Sequence, residues 1–239
     1  MKRLFLLGIL CLLLFSCKKN TSQIKQPNNS SAITSSGFEL NGKLENFYPQ
    51  KVYLNKIIEN SIYPIDSSNV IDNTFKFKGI VEFPERFGLT FENYSAMSVI
   101  ILENSKFEVF INAENINDPI ISGSELNTKL NQYKVNSKNI FKKIEYLFPQ
   151  FQKARLENDV KKLSDIEVEM KKIETEFINF SYNYIIQNKE SYLAAMILRD
   201  QLKSKNIDTI RVKNTYKVLS GEIKKAPDAE IISSFLNLH

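Results

Sequence analysis

The sequence predicts an α+β fold. An N-terminal antiparallel β-sandwich over residues 37–122 is followed by a long antiparallel helical hairpin over 124–187 and short helices up to 239. Two observations carry this. Apolar residues recur at every second position through short runs separated by turn residues up to Ser122, the pattern of an all-β sandwich or barrel. Beyond Ser122 they recur in alternating steps of four and three, the spacing of a helical seam.

The strand runs come first. "GFELNGKLEN" alternates Phe38, Leu40 and Leu44, and "QKVYLNKII" offers Val52, Leu54 and Ile57-Ile58. "TFKFKGIVEF" places Phe75, Phe77, Val81 and Phe83 on one face, against Lys76, Lys78 and Glu82 on the other. "RFGLTFEN", "MSVIILEN" and "KFEVFINAEN" complete the set, and Ile100-Ile101-Leu102 reads as buried on both faces. Asp72-Asn73 and Asn104-Ser105 separate runs at places where a tight turn is needed. Asp66-Ser67-Ser68 reads as a turn, since lysine is the only base at hand to activate those serines.

Ser122-Gly123-Ser124-Glu125 puts Glu three residues after Ser, a capping box at a helix start. One stripe then runs through Leu126, Leu130, Tyr133, Ile140, Ile144, Leu147 and Phe151, with Ser137 as a polar break. A second passes through Leu163, Ile166, Met170, Ile173, Phe177, Phe180 and Tyr184. Glu157-Asn158-Asp159 can turn the chain between two helices of ~45 Å each at 1.5 Å per residue. Pro149 falls inside the first, where a kink is expected. Three shorter helices follow: "SYLAAMILRDQL", "DTIRVKNTYKVLSG" with Gly221 as its C-cap, and "DAEIISSFLNL" starting on Asp228.

Residues 1–16 read as a signal peptide, with Lys2 and Arg3 ahead of the apolar run Leu4 to Phe15. That run is too short for a span, which needs about 20 apolar residues. Leu14-Phe15-Ser16-Cys17 resembles the lipobox of bacterial lipoproteins, which implies a diacylglyceryl thioether on Cys17 and cleavage just before it. The competing reading is an ordinary signal peptide ending by chance on a cysteine. Residues 17–36 are rich in Asn, Ser, Lys and Gln and read as a disordered tether behind the lipid. The resulting localisation is an outer-membrane anchor facing the periplasm.

Composition excludes several chemistries. Without residues 1–16 the chain holds 30 basic against 27 acidic residues, a mild +3, with Lys far outnumbering Arg and mixed among acids. That is not the footprint of a nucleic-acid binder, so no nucleic acid is expected as a partner. Cys11 leaves with the leader and Cys17 is acylated, so no thiol redox centre, cysteine nucleophile or thiolate metal site is expected. The one histidine is His239, and no phosphate-cradling glycine loop appears. The expectation is a non-enzyme with no catalytic residue, no metal site and no cofactor. Glu167, Glu169, Glu174 and Glu176 alternate with Lys171 and Lys172 and read as a solvated helix face. Phe177, Phe180 and Tyr184 read as core at seam spacing, while Tyr182 lies off the stripe.

In order, "FELNGKLEN", "KVYL", "IDSSNVIDNTFKFKGIVEFPERFGL", "VIILENSKFEVFIN", "ISGSELNTKLNQY" and "KESYLAAMIL" resemble a Bacteroidetes lipoprotein family. It carries a domain of unknown function of the DUF4369 type. In that family the β-domain and helical segment commonly precede a thioredoxin-like domain of the TlpA type. The resemblance covers roughly residues 37–220; relatives often carry Gly where this chain has Asn73-Thr74. The sequence in hand ends at His239 without a Cys-x-x-Cys motif, so the family's redox chemistry has no residues here to rest on. Two roles follow as expectations. One is a membrane-anchored, non-catalytic scaffold that binds an unknown protein partner. The alternative is an accessory to a separate thioredoxin-like thiol-disulfide oxidoreductase.

Overall fold

The computed structural model describes residues 37–238 apart from 60, 205 and 206. The leader, the tether and the Cys17 site lie outside the described residues, as does His239. The described residues form one compact unit.

Eight strands are seen among the described residues: β1 (Phe38–Glu45), β2 (Lys51–Ile58), β3 (Ser61–Asn69), β4 (Thr74–Gly79), β5 (Glu85–Phe91), β6 (Tyr94–Leu102), β7 (Lys106–Asn112) and β8 (Ile120–Ser122). They form two four-stranded sheets, ordered β4-β1-β7-β8 and β3-β2-β5-β6. Alternation does what the sequence pattern asks. Phe38, Leu40 and Leu44 point inward from β1, Phe75 and Phe77 from β4, and Phe107, Val109 and Ile111 from β7. They meet Val52, Leu54, Leu89 and Ile100 of the second sheet in one core. At Asp72-Asn73 both residues have positive φ, 50° and 58°, the conformation of a two-residue hairpin turn, with Ile71 and Thr74 bridged across it.

Three strand expectations are corrected. The sandwich is not wholly antiparallel, because β1 and β7 run parallel with Leu40 opposite Phe107. Hairpin turns govern only strands adjacent in sequence, and β7 reaches β1 after the chain has crossed between the sheets. Asp66-Ser67-Ser68 is not a turn but part of β3, paired with β2 along one edge of its sheet. That edge tolerates Pro64, which has no backbone N–H to give a further strand, and the register shifts between Leu54 and Asn55 of β2. β4 stops at Gly79, so Val81 and Phe83 do not continue it. The Asn104 side chain instead clasps the Val81 backbone, accepting from its N–H at 3.0 Å and donating to its carbonyl at 2.7 Å.

Five α-helices follow among the described residues: α1 (Glu125–Leu156), α2 (Val160–Gln187), α3 (Tyr192–Gln201), α4 (Thr209–Val218) and α5 (Pro227–Phe235). The cap of α1 is Ser124 rather than Ser122; its Oγ accepts from the Asn127 N–H at 3.1 Å. Gly123, at φ 85°, makes the bend that brings Ser124 into place. Asn158 (φ 51°) turns the chain after α1, and Asp159 caps α2. The expected Gly221 cap is not used, since α4 ends at Val218 and Leu219 is already extended. Likewise α5 begins at Pro227, which fits the first helical position, and Ala226 occupies the cap in place of Asp228.

The two halves share an interface at β6. Ile100 and Leu102 face the sandwich core, while Ile101 between them faces a helical core built on Leu193 to Leu198 of α3. The free edge of β6 is closed by a side chain. Asn127 of α1, 1% exposed, accepts from the Ile101 N–H at 2.9 Å and donates to its carbonyl at 2.7 Å, as a neighbouring strand would. One ion pair crosses the joint and a second braces the helical side behind it. Arg86 of β5 meets Asp200 of α3 through two hydrogen bonds of 2.8 and 2.6 Å, and Arg199 meets the buried Asp228 of α5 at 2.8 Å.

Candidate functional site

The helical hairpin of α1 and α2 buries few of its side chains for its length. Its partners step in opposite directions along the two helices. Tyr133 stacks on Phe180 at 5.2 Å between ring centres, Phe141 meets Phe177 at 4.7 Å, and Lys143 binds Glu176 at 2.7 and 2.5 Å. Two helices in contact bury one line of side chains and leave both flanks of that line open. The burial follows. Ile166 and Ile173 are buried in α2, but Phe177, Phe180 and Tyr184 of the expected stripe are only half-buried. Phe141 of α1 is 37% exposed and Val168 of α2 is 50% exposed.

A groove lies along each flank. One, of about 640 Å³, is floored by Tyr133, Phe141, Met170 and Phe177 and ends at Asp200 of α3. The other, of about 1020 Å³, runs beside Ile140, Val168, Phe180 and Tyr184 between Lys171 and Glu176. At the polar end of the first groove, burial alone would lower the pKa of the Arg86 guanidinium. The hydrogen-bonded Asp200 carboxylate more than offsets this and moves it upward. Burial pushes the Tyr133 phenol upward as well, although its oxygen lies 2.8 Å from Ser181 Oγ. The floor is aromatic and the polar end is a closed ion pair, an arrangement suited to binding an apolar or amphipathic surface.

The residues singled out by sequence are scattered by the fold. Glu167 pairs with Lys171 at 3.5 Å, Glu169 with Lys172 at 2.7 Å and Glu176 with Lys143, so these carboxylates do not converge. Among the described residues no group of three or more His, Cys, Asp or Glu side chains gathers. Tyr182, read as lying off the stripe, is only 4% exposed, with the Arg211 guanidinium 3.9 Å above its ring. The buried face of α2 rotates towards its C-terminal end, because α3 and α4 pack there on a different side from α1. The reading from sequence missed Arg86 and Asp200. One signal was present: Arg86 is one of five arginines in a lysine-rich chain, and arginine is favoured where a planar, two-toothed pair is built.

The β-rich half is similar to a domain of unknown function. Residues 38–130 match the family model described as "Domain of unknown function (DUF4369)". The matched segment therefore includes the sandwich and the first turns of α1, as far as the Asn127 clasp on β6. No curated protein and no solved structure gives a match. No described helix is long and apolar enough to cross a membrane.

Proposed function

We propose that the chain is a lipid-anchored envelope protein whose folded part is a non-catalytic interaction module, with the helical hairpin as its recognition element. The observation that carries this reading is the hairpin's unfinished packing. Aromatic and aliphatic residues on both flanks of one seam remain open, where a third or fourth helix would normally cover them. The Leu14-to-Cys17 motif supports the anchor, with acylated Cys17 in the outer membrane and the domain facing the periplasm. Two or more acyl chains suffice for stable attachment. The partner protein is unknown; the resemblance to lipoproteins that carry a thioredoxin-like domain makes a separate thioredoxin-like lipoprotein the alternative to be tested.

The test is capture from detergent-solubilised membranes with tagged full-length protein, beside Val168→Glu and Phe141→Glu. The expected result is one stoichiometric partner retained by the unmodified chain and lost with a charge in either groove. Val168→Glu should leave the melting temperature unchanged, whereas Phe141→Glu should lower it modestly through the lost contact with Phe177. Capture that survives both substitutions would overturn the hairpin assignment. A captured thioredoxin-like protein would make the module a redox accessory; any other partner would make it a scaffold. Metabolic labelling with a palmitate analogue should mark the unmodified chain and not Cys17→Ala.

A further inference from the structure

The outer face of the β4-β1-β7-β8 sheet presents four rows of side chains across its strands. At one end Lys78, Glu39 and Lys106 lie abreast, and Glu39 binds Lys78 at 3.1 Å and reaches Lys106 at 3.9 Å. The hydrogen bond from Lys78 above all holds the Glu39 carboxyl below the usual carboxylate range. At the other end Asn112 donates to Glu45 at 2.6 Å. Both end rows are internally satisfied.

The two middle rows are not. Lys76, Asn41, Glu108 and Ser122 form one, and Thr74, Lys43, Phe110 and Ile120 the other. Among the described residues neither Lys43 nor Glu108 makes an ion pair. The Oδ1 of Asn41 is buried with no hydrogen-bond partner, a state that native structures rarely leave unanswered. The end of β3 rises beside this floor, with Ser68 Oγ accepting from the Lys76 N–H at 3.1 Å. With Ile71 (68% exposed) on that side and Ile120 (67% exposed) on the other, it walls a cleft of about 640 Å³ over both middle rows.

We infer that this cleft is a saccharide-binding site, taking an oligosaccharide across the outer face of the sheet. The chemistry follows from the floor. Asn41 Oδ1 has no donor within the protein, the exposed Glu108 carboxylate can accept, the exposed Lys43 ammonium can donate, and Lys76 is shared with Glu39 at 3.9 Å; all four residues line one cleft. A sugar hydroxyl donates and accepts at once, so adjacent hydroxyls of one ring can answer both kinds of group. The C–H face of the ring finds apolar surface on Phe110 and Ile120. A peptide fits less well: these groups stand on the face of the sheet, and an added peptide strand gains its affinity from hydrogen bonds along a sheet edge.

The site is separate from the hairpin grooves, so its test is independent of theirs. Full-length protein would be applied to a printed array of neutral and uronate-bearing oligosaccharides, and the best ligand then titrated by calorimetry. Glu108→Gln and Asn41→Ala should each weaken that ligand about tenfold, a loss of roughly 1.4 kcal/mol. Lys43→Gln should weaken a uronate-bearing ligand more than a neutral one. Ile186→Ala on α2, far along the sequence and exposed, should leave binding unchanged. Lys43 and Glu108 are exposed, so their variants keep the test decisive should Asn41→Ala not fold. No binding anywhere on the array would overturn the inference. So would binding insensitive to Lys43 and Glu108, or displacement of the sugar by extended peptides.

Discussion

In the sandwich, inward side chains from two sheets close over one another, and Leu40, Leu54, Leu89 and Ile100 are almost wholly removed from water. In the hairpin, α1 spans 32 residues, yet its buried residues are Leu126, Asn127 and Ala154 alone. Both regions satisfy their sequence period. The difference is the number of layers each period can engage. A strand face meets a second sheet across its whole width, whereas one helix meets another along a line. Stability therefore concentrates in the sandwich and around α3, and the hairpin leaves apolar surface uncovered.

The sharpest way to break this contrast is in the sandwich. Phe107 stands on β7 opposite Leu40, and both are buried. Phe107→Ala should cost about 3–5 kcal/mol, a large part of a typical domain stability of ~5–15 kcal/mol. Chemical denaturation followed by far-UV circular dichroism measures it, and a loss below ~1 kcal/mol would contradict a core concentrated there.

The joint between the two regions comes next. Asn127→Leu removes the amide that closes the β6 edge and leaves the Ile101 N–H and carbonyl buried without partners. At about 1–3 kcal/mol for each of the two unsatisfied groups, roughly 2–6 kcal/mol should be lost. Hydrogen exchange at Ile101 should quicken selectively. If it does not, the clasp contributes shape alone.

A third difference is chemical. Burial raises the pKa of Tyr133, Tyr182, Tyr184 and Tyr192, all in the helical half, from an ordinary value of 10.0. With a folded pKa above the unfolded one, the folded state holds more protons as pH climbs past about 10. The stability these phenols contribute is complete below that pH and is lost as pH rises through their folded values. Melts between about pH 8 and pH 11, with tyrosinate absorbance recorded in parallel, should show the helical half loosening first. Tyr133→Phe should blunt that fall, and simultaneous loss of both halves would contradict the assignment.

What was legible in the sequence is what a repeating period encodes. Phe75 and Phe77 inward, Lys76 and Lys78 outward, the turn at Asp72-Asn73 and the seam through Ile166 and Ile173 all follow from local pattern. What was not legible depends on neighbours distant in sequence. β3 packs no face, so it has no alternation to read, and Ser67 and Ser68 looked like a turn. The parallel pairing of β1 with β7, the Asn127 clasp and the burial of Tyr182 under Arg211 are set by which elements arrive beside them. The middle rows of the outer face join Lys43 to Glu108 across 65 residues of chain, and each alone reads as an ordinary solvated charge.

The smallest expected effect is the most discriminating one for the hairpin. Sequence spacing alone treats Phe177 as core and expects the ~3–5 kcal/mol of a fully buried Phe→Ala change. The structure leaves Phe177 half-buried, with one face on Phe141 and the other open to the groove that ends at Asp200. A ring that keeps part of its area in water forfeits correspondingly less, so Phe177→Ala should cost about 1.5–2.5 kcal/mol. Glu174, three residues earlier, is exposed. Glu174→Ala replaces one good helix former with another and should stay within about 0.5 kcal/mol. Thermal melts of the two variants separate three cases. A loss of ~4 kcal/mol at Phe177 would mean that the seam is a closed core and the hairpin has no face to spare. No loss at Phe177 would mean that the helices do not pack through Phe141, and the groove between them would not exist. The intermediate value is the one at which a residue can hold the hairpin together and still be touched by a partner.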